Sequence, residues 1–140
     1  MDSFWKKYYF LLLLHYRNEH PIFGRHMKPI TANTEYIAAC GLYCGACRKF
    51  LMEKCPGCKG NEKATWCKIR TCCEEKGFLS CAECSTSVTE CPKYSNFMSK
   101  LFSLLFRSDR PACIQYIKDH GAQAFAEEMT QRKCQTMKRK

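Results

Sequence analysis

The chain has 140 residues, 46% of them hydrophobic, and a formal net charge of +10. The length fits one domain, long enough to bury a core. Thirteen residues are cysteine, an odd number that excludes complete internal disulfide pairing.

Residues 1–35 read as a leader, either an over-extended start ahead of Met27 or a peripheral segment. Lys6 and Lys7 precede an apolar run from Tyr8 to Leu14. That run sits at the short limit of a signal core, and no small-residue cleavage site comes after it. It also falls far below the ~20 residues that span a bilayer. The expectation is a cytoplasmic chain with reduced thiols and no membrane span.

Residues 36–140 read as a single cysteine-rich domain with C-terminal helices. Its first part, Cys40 to Pro92, is thin in large apolar residues, so it needs staples. Cys47–Lys54 predicts a short helix ended by Cys55-Pro56. Thr65 predicts the cap of a helix over Trp66–Lys76, stopped by Gly77. Trp66 and Ile69 read as core residues packed over the neighbouring Cys67. Ser95 predicts the cap of a helix carrying Phe97, Met98, Leu101, Phe102, Leu105 and Phe106 as an apolar stripe. Asp109 predicts the next cap, with Pro111 in the first turn, Ile114 and Ile117 on the apolar face, and a stop at Gly121. A last helix, from Ala122 to about Lys133, buries Ala122, Phe125, Ala126 and Met129. Strand signals are weak throughout. The fold class expected is mainly α, with irregular metal-stapled loops in a small zinc-binding domain packed on C-terminal helices.

Cysteines at positions 40, 44, 47, 55, 58, 67, 72, 81, 84 and 91 form one rhythmic block, and Cys73 sits beside one of them. Three pairs have two-residue gaps: Cys44-Gly-Ala-Cys47, Cys55-Pro-Gly-Cys58 and Cys81-Ala-Glu-Cys84. Such a gap lets one tight turn present two thiolates to one tetrahedral ion. Cys55-Pro56-Gly57-Cys58 is the turn best built for this, since proline presets φ and glycine tolerates positive φ. The candidate metal ligands are thus Cys40, Cys44, Cys47, Cys55, Cys58, Cys67, Cys72, Cys81, Cys84 and Cys91. They suffice for about two four-thiolate zinc ions. The simplest grouping takes Cys44, Cys47, Cys55 and Cys58 first, then Cys67, Cys72, Cys81 and Cys84; interleaved grouping is equally legal. Two such sites would lower the net charge to about +6.

Other chemistries are weaker. Cys40-x3-Cys44-x2-Cys47 has the spacing of a radical-enzyme cluster triplet, but the chain lacks the length and βα alternation of that barrel. A non-catalytic iron–sulfur cluster is the alternative cofactor. A redox Cys-x-x-Cys needs a preceding strand, and none is evident. Nucleophilic catalysis lacks a base, because His15, His20 and His26 lie in the leader and His120 adjoins Gly121 as a surface residue. No enzymatic site is expected. Cys113 reads as a small core residue and Cys134 as an exposed free thiol. Residues 93–140 carry ten Lys/Arg against four Asp/Glu and end in Lys138-Arg139-Lys140. That tail reads as a solvated, frayed terminus, with weak nucleic-acid binding as its functional alternative.

Cys40-Gly-Leu-Tyr-Cys-Gly-Ala-Cys47, Cys55-Pro-Gly-Cys58, Trp66-Cys-Lys-Ile-Arg-Thr-Cys72, Glu75-Lys-Gly77, Cys81-Ala-Glu-Cys84 and Cys91-Pro92 together resemble a prokaryotic cysteine-rich family, domain of unknown function 3795. The resemblance covers roughly residues 36–134, including Ile117-Lys-Asp-His-Gly121. It implies a zinc-binding cytosolic protein and carries no established activity. The leading expectation is a metal-stabilised interaction module with an unidentified protein partner. The alternatives are an iron–sulfur or thiol redox sensor, and a weak nucleic-acid binder.

Overall fold

The computed structural model describes residues 26–140. The reading of residues 1–25, with the apolar run, His15 and His20, lies outside the described residues. The chain is mainly helical, and the described residues contain two isolated β-bridges but no strand.

Helix α1 (Arg48–Leu51) is shorter than expected, and Met52 caps it. Helix α2 (Gly57–Gly60) is a single turn that begins inside the Cys-Pro-Gly-Cys segment. Gly57 holds φ +82, the positive value expected there, and a Cβ at that position would lie 3.1 Å from the Phe50 ring. Helix α3 (Lys68–Lys76) starts later than Thr65 predicts, behind Cys67, and ends at Gly77 in the left-handed region as expected. Trp66 therefore lies ahead of the helix and is 79% exposed rather than packed over a site, whereas Ile69 on the inner face is buried.

Helix α4 (Phe97–Leu105) is capped by Asn96, one residue beyond Ser95; the Asn96 side chain accepts from the Ser99 N–H at 2.7 Å. Helix α5 (Arg110–His120) starts and stops as predicted, with the Asp109 carboxylate accepting from the Ala112 N–H at 3.0 Å. Helix α6 (Ala122–Arg132) buries Phe125, Ala126 and Met129. Helices α5 and α6 pack on each other, and the short turns Thr34–Tyr36, Cys44–Ala46 and Cys81–Glu83 pack against them.

One core joins the cysteine block to this pair: Tyr43, Ile69, Cys73 and Tyr94 meet Cys113, Ile114, Ile117, Phe125 and Met129. Tyr43 is 0% exposed, and its ring meets Phe125 edge-on at 6.4 Å. Its hydroxyl donates to the Thr31 carbonyl and accepts from the Asn33 N–H at 3.1 Å. A Cβ at Gly45 would fall 2.7 Å from the same ring, so only glycine fits there.

The C-terminal segment is laced in place rather than frayed. The Tyr43 N–H donates to Gln135 O at 2.7 Å, Asp109 N–H to Met137 O at 2.8 Å, and Arg139 N–H to Arg107 O at 3.0 Å. Lys138 and Ser108 form an antiparallel bridge. Main-chain pairing thus overrides the general tendency of a chain end to fray.

Removing the Tyr43 hydroxyl leaves the Thr31 carbonyl and the Asn33 N–H short of a partner. Tyr43→Phe should lower unfolding free energy by about 1–2 kcal/mol. Denaturant titration at fixed metal content checks this; an unchanged midpoint at unchanged slope contradicts it.

Candidate metal centre

All thirteen cysteines are free thiols. Eleven of them fall into two neighbouring groups plus a pair packed in or against the core.

The first group is Cys40, Cys44, Cys58 and Cys67. Burial pushes the Cys40, Cys44 and Cys58 thiols up, Cys44 to about 11. Charge on Cys58, Cys40 and Cys47 adds to the effect at Cys44, and charge on Cys40 and Cys67 adds to it at Cys58. Against this, backbone N–H groups aim at sulfur and favour the thiolate: Leu42 toward Cys40, Cys58 toward Cys44, and Ala39 toward Cys58. Such donors tune a metal-bound thiolate as well as a free one. Cys47 stands at the edge of the group, while Cys55 is half-buried and enters neither group. A cavity of about 300 Å³ opens beside Cys44 and Cys58, walled by Tyr36 and Phe50 and fringed by Lys28 and the Lys59–Glu35 ion pair at 3.1 Å.

The second group lines a cavity of about 200 Å³: Cys72, Cys73, Cys81, Cys84 and Cys91. The Cys73 and Cys81 sulfurs lie 3.8 Å apart. The hydrogen bond between them lowers Cys73, and the same bond, with burial, raises Cys81. Cys84 is lowered by the N–H of Thr86. The Cys81 N–H donates to Ala39 O at 2.9 Å, so the two groups adjoin. Cys73 lay outside the rhythm that selected the ten candidates. The signal that could have found it is α3 itself: Ile69 and Cys73 are one turn apart, on the buried face.

Among the described residues, no three Cys, His, Asp or Glu side chains meet closely enough to hold an ion as they stand. The donor chemistry nevertheless fits a soft divalent ion. With Zn–S near ~2.3 Å, the edge of a ZnS₄ tetrahedron is about 3.8 Å, and this is the separation of Cys73 and Cys81.

Cys113 and Cys134 pack in and against the core. Cys113 is fully buried, with its sulfur accepting from the Met137 N–H at 3.3 Å. Cys134 is half-buried, not exposed, with its sulfur 3.9 Å from that of Met129. His120 is exposed and stacks on Tyr116 with ring centres 4.3 Å apart, in keeping with a surface role.

No family model, no curated protein and no solved structure matches this chain. Among the described residues, no helix is long and apolar enough to cross a membrane.

The raised thiols set a pH dependence. In metal-free protein Cys40, Cys44 and Cys58 hold protons more tightly than the unfolded chain does. The neutral form they favour is fully present below the ordinary thiol range, and its stabilisation is lost as pH rises from there toward about 11. Unfolding free energies measured in chelator should fall across that window, by on the order of 2 kcal/mol. A flat profile contradicts the burial of these thiols.

Proposed function

We propose that the protein is a small helical interaction module whose cysteine block binds about two zinc ions. The observation that carries this reading is the Cys73–Cys81 pair, at the S–S spacing of a thiolate tetrahedron in a cavity walled by three further cysteines. Cys73 and Cys81, with Cys84 and Cys91 turning in from the wall, hold one ion. Cys40, Cys44, Cys58 and Cys67 hold the other. Zinc supplies a structural crosslink there and needs no open coordination position. The resemblance of residues 36–134 to domain of unknown function 3795 implies the same ion. An iron–sulfur cluster on the same thiolates is the alternative cofactor.

The chain's own groups prepare the sites. Backbone N–H groups already aimed at Cys40, Cys44, Cys58 and Cys84 lower the cost of four negative sulfurs. Protons held by the buried thiols must leave when the ion enters, so zinc affinity rises with pH.

Elemental analysis of protein purified without oxygen should give about two zinc ions per chain and no visible colour. Brown protein with iron and acid-labile sulfide would replace zinc by a cluster. Cys73→Ser and Cys81→Ser should each lose one ion, while Cys113→Ala retains both. Cys67→Ser and Cys55→Ser separate the two ways of building the other site. Loss in Cys67→Ser but not in Cys55→Ser supports the interleaved set, and loss in both restores the sequential one.

A further inference from the structure

Helix α4 is built inside out. Its small polar residues face the protein: Ser103 is buried and donates to the Ser108 carbonyl, and Ser99 receives the Arg110 guanidinium. Its large apolar residues face solvent: Phe97 is 77% exposed, and Leu101, Phe102, Leu104 and Leu105 are all exposed, as is Phe106 just beyond the end at 68%. At about 100° per residue, positions 97, 101, 102, 104 and 105 sweep an arc of roughly 160°, widening to about 200° with Phe106. The Phe102 and Phe106 rings stack at 5.9 Å, making a convex apolar ridge.

The rim of this ridge is basic. Residues 91–108 hold Lys93, Lys100 and Arg107 with no Asp or Glu, and residues 133–140 hold Lys133, Lys138, Arg139 and Lys140 with none either. The second set is brought to the end of the ridge by the Ser108–Lys138 bridge and the Arg139 N–H bond to Arg107 O. All seven cations are exposed.

We propose that α4 seats the protein on an anionic lipid surface, its apolar ridge entering the acyl boundary while Lys100, Arg107, Lys138 and Arg139 meet the headgroups. Two features favour this occupant. The helix, 9 residues long, spans about 14 Å, too short to cross a bilayer but suited to lying in its plane, with the broad apolar face that interfacial helices show. The cationic rim complements an anionic surface, whereas a symmetric second copy would set the same cations against each other.

Co-sedimentation of the full chain with phosphatidylcholine vesicles, with and without phosphatidylserine, tests this. Binding should require phosphatidylserine and weaken with salt. Lys138→Glu with Arg139→Glu should reduce affinity by at least about fivefold per residue changed. Leu104→Ser with Leu105→Ser should abolish binding while leaving the thermal midpoint unchanged, because both side chains are exposed in the folded protein. Binding that survives the leucine substitutions belongs to another part of the chain and overturns the proposal. Equal binding to neutral vesicles, no binding at all, or a dimer in equilibrium sedimentation that the leucine substitutions dissociate would also overturn it.

Discussion

A buried phenol must find hydrogen bonds or carry the cost of leaving its oxygen dry. Tyr43 meets this condition by reaching outward to the Thr31 carbonyl and the Asn33 N–H, with the Thr130 hydroxyl at 3.5 Å. Its own N–H ties down Gln135. One residue therefore joins the approach to the block, the inner face of α6 and the start of the C-terminal lace. The rest of the first half depends on it. Asn33, once held, caps the turn that carries Tyr36, and Tyr36 meets Phe50 edge-on at 4.9 Å. Phe50 in turn crowds Gly57, ahead of Cys58. Cys44 is the next residue after Tyr43, so the seat of the phenol also sets the seat of the first thiol group.

Cysteine plays two physical roles in this chain, and burial sorts them. Cys113 fills core volume as a small hydrophobe, with its sulfur serving as acceptor for a backbone N–H. Cys40, Cys44 and Cys58 are close enough to feel one another's charge, and each has a backbone donor aimed at its sulfur. Cys73 belongs to both classes: it is a buried member of the core and a partner of Cys81. A thiol in that position couples packing to site chemistry, because moving its sulfur disturbs the core around Ile69 as well as the cavity.

The helices were legible where a cap and a stop bracket an apolar face. Asp109 and Gly121 bound α5 at the predicted residues, and α6 comes next with Phe125, Ala126 and Met129 inside. Ser95 and Asn96 are both good caps, and only the geometry of the Ser99 N–H decides for Asn96. Trp66 misled because size argues for burial, whereas its place before the first turn of α3 leaves it outside. Cysteine spacing identified the block but could not group its members, since the grouping depends on long-range folding that brings Cys67 toward Cys40 and Cys73 toward Cys81. The same limit hid Cys73, which the two-residue rhythm skips. The apolar residues of α4 were readable as a stripe, but a period says which residues share a face and not whether that face meets the core or the solvent.

Arg110 is where these parts meet. Its guanidinium sits 5.5 Å over the Tyr94 ring, donates to Ser99 of α4 and favours the charged form of Cys40. Tyr94 in turn donates to the Cys40 carbonyl at 2.7 Å, closing a circuit of residues around the guanidinium. A guanidinium is a delocalised, planar cation. While Cys40 is protonated, that charge is met by a neutral hydroxyl and an aromatic face. Once Cys40 is a thiolate, the same cation has an anion for a neighbour. Cys40 and the exposed helix thus have one side chain as a common neighbour. Arg110 stands at the first turn of α5, the helix whose boundaries the sequence marks most clearly.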